Sequence, residues 1–172
     1  MKNNARVVVI GGGVVGVSTL YHLVKKGWTE CVLIERKELT SGSTWHAAGL
    51  LPLFNMSYSV GQIHKYSVDL YGRLEEETGQ YAGLSRVSNI RLATTQDRMD
   101  EYKQYAGVAQ TIGVRVDILT PDEVVDLWPL AVKDNLIGAI RHPMDGYIQP
   151  ADLTQALAKG ARDIGGQIYR NT

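Results

Sequence analysis

The sequence has 172 residues, 18 lysines and arginines against 18 aspartates and glutamates, and 44% hydrophobic residues. That is a globular composition with no broad field to attract nucleic-acid phosphates or anionic lipid, so neither partner is expected. The single cysteine, Cys31, excludes an internal disulfide and a cysteine-rich zinc site, and with them an oxidising scaffold; a reducing, cytoplasmic setting is the expectation.

The longest apolar stretches, Val7 to Ile10 and Ala47 to Phe54, fall far short of the roughly 20 residues that a spanning helix needs. Met1-Lys2-Asn3-Asn4 runs straight into the first element, so no secretory or transit peptide is expected. Ala5 to Ile10 is a continuous β-branched run, expected as a parallel strand buried on both faces. Val14 to Lys26 places Val17, Leu20, Tyr21 and Val24 on one helical face and stops at Gly27. Cys31 to Glu35 is the second strand, which completes a βαβ unit.

Thr40 to Thr44 is small and polar and reads as a loop entering a short small-residue helix at His46-Ala47-Ala48-Gly49. Val60 to Thr78 predicts a helix with Ile63, Leu70 and Leu74 on one side and Glu75 to Glu77 solvated. Ser88 to Thr95 predicts a strand, Gln96 to Ile112 a helix, and Val114 to Leu119 a strand. Thr120-Pro121-Asp122-Glu123 has the form of a capping box with proline at the first helical position. Ile137 to Arg141 and Tyr147-Ile148 bracket an Asp145-Gly146 turn. Ala151 to Ile164 predicts a helix, and Gln167 to Arg170 a strand at which the fold looks unfinished.

Chemistry concentrates near the start. Gly11-Gly12-Gly13-Val14-Val15-Gly16 is a G-x-G-x-x-G set between a strand and an amphipathic helix. Gly11 permits the sharp turn, Gly13 lets a pyrophosphate approach the backbone, and Gly16 lets helix and strand pack closely. Backbone amides at the helix start, from Val14 and Val15, then face the anion. Glu35 ends the second strand, where a carboxylate can accept from both ribose hydroxyls. These features imply an adenine dinucleotide, and nicotinamide and flavin dinucleotides share the half-site.

The next segment, from Glu35 and Arg36 through Ser41, Gly42, Ser43, Thr44, His46, Ala48, Gly49 and Leu50, can run back along the same ligand. At this point the chain resembles the FAD-dependent amine oxidoreductases of the D-amino-acid oxidase superfamily, especially dimethylglycine and sarcosine dehydrogenases. The resemblance rests on VVVIGGGVVGVSTLYHL, LTSGSTWHAAGL, LEEETG, IRLATT and DGYIQPADLTQALAKGA, spread from residue 7 to residue 161.

In that family the histidine of the STWHAAG motif carries the flavin covalently, and the matching residue is His46. Read without the family, His46 is simply an imidazole hydrogen-bonded within a loop. Ser41 to Thr44 are expected to contact the pyrophosphate or ribityl chain, or to cap the following helix.

The resemblance implies oxidative demethylation of an N-methyl amino acid by hydride transfer to FAD. It also implies an electron-transfer flavoprotein or oxygen as acceptor, and a tetrahydrofolate module in the full-length protein. It further implies an α/β fold: a Rossmann-like FAD-binding βαβ unit with the start of an α+β substrate domain, incomplete. The expected division is 1–84 FAD-binding, 85–149 substrate-binding and 150–172 a return to the FAD domain. A missing C-terminal portion or complementary chain follows, and this chain alone is expected to be inactive. The alternative is a non-catalytic protein resembling the pyruvate dehydrogenase phosphatase regulatory subunit, whose relatives depart from the motif at the histidine that this sequence keeps.

Other residues read as structural. His22, His64 and His142 form no metal-ligand pair. Trp28 and Trp128 fill core or interface, with Trp45 set apart by adjoining His46. Arg91 reads as the partner of a nearby acid. No catalytic residue is assigned within the chain.

Overall fold

The computed structural model describes residues 4–172. In chain order the elements are β1 (Val7–Ile10), α1 (Val14–Lys25), β2 (Cys31–Glu35), a 3-10 turn (Ser43–His46), β3 (Leu50–Leu51), α2 (Tyr58–Thr78), β4 (Ser85–Arg86), β5 (Asn89–Ala93), α3 (Gln96–Ile112), β6 (Asp117–Leu119), α4 (Pro121–Leu127), β7 (Gly138–His142), β8 (Gly146–Tyr147), α5 (Pro150–Asp163) and β9 (Gln167–Arg170). They divide into two units, one of residues 1–49, 70–84 and 148–172, the other of residues 50–69 and 85–147. Residues 50–69 thus group with the second unit rather than with the stretch before them.

In the first unit β1, β2 and β9 form a parallel sheet in the order β1-β2-β9, with Val7 opposite Cys31 and Val32 opposite Gln167. The face of α1 anticipated from its periodicity, Val17, Leu20, Tyr21 and Val24, is buried. Leu33 of β2 and Leu157, Ala158 and Ala161 of α5 are buried in the same unit, and Cys31 is a buried free thiol.

β1 departs from the doubly buried strand expected of it, since Val8 and Ile10 are 52% and 83% exposed. Val9 faces Gly16 of α1. Val8 and Ile10, one residue out of phase, point the other way because successive strand residues alternate faces.

The second unit holds two antiparallel sheets, ordered β3-β8-β4 and β5-β7-β6. Its main core gathers Leu53, Val68, Ala93, Ile140 and the α3 residues Met99, Tyr102, Tyr105, Ala109 and Ile112. The capping box at α4 is complete: the Thr120 hydroxyl accepts from the Glu123 amide, and the Glu123 carboxylate accepts from the Thr120 amide.

Four local expectations fail here, each for a visible reason. β6 begins at Asp117 rather than Val114. Gly113 is left-handed and the Val114 amide bonds back to the Ala109 carbonyl at 2.8 Å, so these residues close α3. The helix expected at 46–49 is a 3-10 turn ending at His46, since Ala47 is extended and Gly49 has φ +74°. The hairpin about Asp145-Gly146 does not form, because β7 and β8 belong to different sheets and Gly146 is itself a strand residue. Ile63, placed on the inner side of its helix, is 64% exposed, while Leu70 and Leu74 are buried as expected.

Candidate nucleotide-binding site

The first unit contains a cavity of about 580 Å³ at the carboxyl end of β1, where the chain turns into α1. Gly11, at φ +107°, makes the turn. A Cβ on Gly16 would lie 2.0 Å from the Gly11 carbonyl oxygen, so only glycine allows helix and turn to meet. At Gly13 a Cβ would sit 3.0 Å from the Thr44 hydroxyl, tighter than ordinary packing.

Two side chains fix this backbone. Glu35 accepts from the Gly12 amide at 2.7 Å through one oxygen and from the Lys37 amide at 2.8 Å through the other. These two bonds hold its carboxyl below the usual range, so it stays ionised. The expected ribose acid is therefore also the clasp of the glycine turn, a role that spacing alone did not reveal. Thr44 is buried, and its hydroxyl accepts from the Val14 amide at 2.9 Å. That satisfies one of the four amides which a helix start leaves without an internal partner. Because Gly13 supplies no side-chain cap to α1, this task passes to a residue thirty positions on.

Of the residues singled out from sequence, Gly11, Gly13, Val15, Gly16, Glu35, Arg36, Ser41, Gly42 and Ser43 line the cavity together. Val14 and Thr44 do not line it and are joined to each other by their hydrogen bond. His46 ends the 3-10 turn with an exposed side chain and does not line the cavity. Ala48 is exposed, Gly49 packs on the Ile148 carbonyl, and Leu50 lies in the second unit. Gly12, Thr19 and Lys37 also line the cavity and had not been singled out. Thr19, one turn beyond Val15, was recoverable from helical spacing, and Lys37 from its position beside Arg36.

The lining fits the adenosine diphosphate half of a dinucleotide. A turn with left-handed Gly11 and a helix start can receive the diphosphate, Arg36 and Lys37 bring positive charge, and the Glu35 carboxylate lines the same cavity.

Comparison with known proteins agrees with this site. The family described as FAD dependent oxidoreductase matches residues 6–172. The chain is 46% identical over 164 residues to mitochondrial dimethylglycine dehydrogenase of Rattus norvegicus, covering 95% of this chain and 19% of that protein. It is 40% identical over 172 residues to mitochondrial sarcosine dehydrogenase of Homo sapiens, covering 99% and 19%. Among solved structures, L-proline dehydrogenase from P. horikoshii superposes with a TM-score of 0.90 at 26% identity, over 99% of this chain and 45% of that one. The chain therefore spans about a fifth of the length of these two dehydrogenases. With a glycine turn, an acid clasp and a match along nearly its whole length, this chain belongs to the FAD-dependent oxidoreductase family.

Proposed function

We propose that this chain forms the opening part of an FAD-dependent amine dehydrogenase or oxidase that demethylates an N-methylated glycine, dimethylglycine or sarcosine. The observation that carries this reading is the cavity at the Gly11–Gly16 turn, clasped by Glu35, in a chain 46% identical to a dimethylglycine dehydrogenase. FAD supplies a two-electron acceptor for the carbon–hydrogen bond beside the amine nitrogen.

The chain's own residues bind and orient. The Val15 amide and the backbone of the glycine turn receive the diphosphate, the Gly12 and Val14 amides being held by Glu35 and Thr44, while Arg36 and Lys37 offset its charge. Thr44 keeps the first turn of α1 in place. His46 offers an imidazole that makes no hydrogen bond among the described residues and is exposed at the end of its turn, as a covalent flavin attachment requires.

The test uses the full-length protein with dimethylglycine, sarcosine and an artificial electron acceptor. Acceptor reduction with stoichiometric release of the one-carbon unit is expected. A flavin-loaded protein that oxidises neither amine contradicts the reading. A protein that binds no flavin and oxidises no amine supports the regulatory alternative.

A further inference from the structure

Arg91 was read from sequence as the partner of a nearby acid, yet it forms neither an ion pair nor a hydrogen bond among the described residues. On the same sheet Asp117 pairs with Arg115 and Arg141 instead. Arg91 Nε is enclosed without a partner, while its terminal nitrogens are also unbonded and reach accessible space. The guanidinium stands 4.5 Å from the centroid of the Phe54 ring. Phe54 in turn packs 4.3 Å from Tyr105, a fully buried residue. A planar cation is thus fixed on an aromatic face with its donors uncommitted, an unusual state for a half-buried arginine.

Arg91 lines a cavity of about 200 Å³ within the second unit. Ser88, Asn89, Asp145 and Tyr147 line it too and bring further polar groups, while Leu50, Leu51, Pro52 and Val87 supply an apolar wall. Asp145 is the nearby acid. Its Oδ1 already accepts from the Leu53 amide at 2.9 Å, and its Oδ2 is enclosed without a partner. Asp145 offsets the arginine's charge at a distance and leaves its hydrogen bonds open.

We infer that this cavity is a subsite for a small carboxylate, with Arg91 as the anchor and Asn89 and Tyr147 as flanking donors. The guanidinium fork matches a carboxylate with two parallel bonds, whereas a lysine offers a single point charge. The apolar wall and small volume suit a ligand of few heavy atoms, such as an N-methylated glycine. In that identification the inference rests on the proposed function, and the carboxylate subsite itself does not.

The test is a calorimetric titration of the full-length flavoprotein with methoxyacetate and with its uncharged amide, alongside steady-state turnover. Methoxyacetate is expected to bind and the amide not to. Arg91→Met should weaken methoxyacetate at least about tenfold, and Arg91→Lys by an intermediate factor. For turnover, KM should rise with kcat changed much less. Equal methoxyacetate affinity in wild type and Arg91→Met overturns the inference. Should Arg91→Met fail to fold, Arg91→Lys decides in the same way: a loss of threefold or more supports the subsite and an unchanged affinity sinks it. Arginine-dependent carboxylate binding without amine turnover would leave the subsite standing and remove the proposed function. Normal turnover that is indifferent to Arg91 would do the reverse.

Discussion

The two cavities are built on opposite principles. The nucleotide cavity of the first unit is a main-chain construction, in which Glu35 and Thr44 are consumed in holding the amides of Gly12, Lys37 and Val14. The polar cluster of the second unit is a side-chain construction, in which Arg91, His142 and Asp145 are fixed by packing and keep atoms without partners. A cradle of backbone tolerates almost no change of shape. A cluster of enclosed side chains tolerates shape better and answers to charge.

The largest effect is expected where shape decides. Gly16→Ala places a Cβ 2.0 Å from the Gly11 carbonyl oxygen, and backbone has to move to admit it. A loss of about 4 kcal/mol, at the severe end for a single substitution, should appear in urea unfolding together with loss of bound flavin. A variant that keeps its flavin and midpoint would mean the turn is far more pliant than its geometry.

Charge decides the next. Burial pushes the Asp145 carboxyl up to about 6 from 3.8, against the opposing pull of the Leu53 amide and of Arg91 and His64. A raised folded value means that stability present below pH 3.8 is lost as pH climbs through 6. His142 moves the other way: burial, aided by Arg91, lowers it from 6.5 to about 4. Its contribution is present above 6.5 and lost as pH falls through 4. Each amounts to about 3 kcal/mol, and between pH 4 and 6 the two slopes cancel.

The intact cluster should therefore look insensitive to pH in that window. Asp145→Asn should uncover a protein that weakens on acidification, and His142→Gln one that weakens as pH rises. Urea midpoints from pH 4 to 6.5 read both, and parallel profiles for the two variants would remove the cluster from the explanation.

Smaller effects return to the first unit. Thr44→Val removes the acceptor of the Val14 amide and should cost about 1 kcal/mol, with Thr44→Ser restoring it. Lys25→Ala breaks a pair with Glu77 whose side chains are 42% and 30% exposed, and about 0.5 kcal/mol is the expected loss. A Lys25 effect as large as that of Thr44 would blur the distinction between clasped backbone and surface charge.

The same contrast explains what could be read from the amino acids. The glycine turn, Glu35 and the hydroxyls beyond it lie close in sequence because a main-chain cradle is made by one continuous segment. Their order, read together with the family resemblance, singled out nine residues that line one cavity. Helices with strong caps or periodicity, α3 and α4, were also legible, because their signals are local.

The second unit resisted. Phe54, Arg91, His142 and Asp145 come from three separate stretches and meet only when β5 and β7 pair, with Arg91 opposite Ile140 and Asn89 opposite His142. No spacing rule carries that information. Gly146 looked like a turn because aspartate-glycine favours turns in isolation, while pairing with Arg86 and Leu51 draws it into a sheet. Thr44 as the cap of α1 is a contact across thirty residues, equally invisible to local pattern.

The most direct trial of a flavin held from the glycine turn to His46 is acid precipitation of the full-length protein followed by trypsin. Flavin mass on the peptide from Glu38 to Lys65, with fragment ions assigning it to His46 rather than His64 and with no coloured pellet from His46→Ala, is the predicted result. Complete release of colour into the acid supernatant, or flavin on a peptide lacking His46, would contradict it.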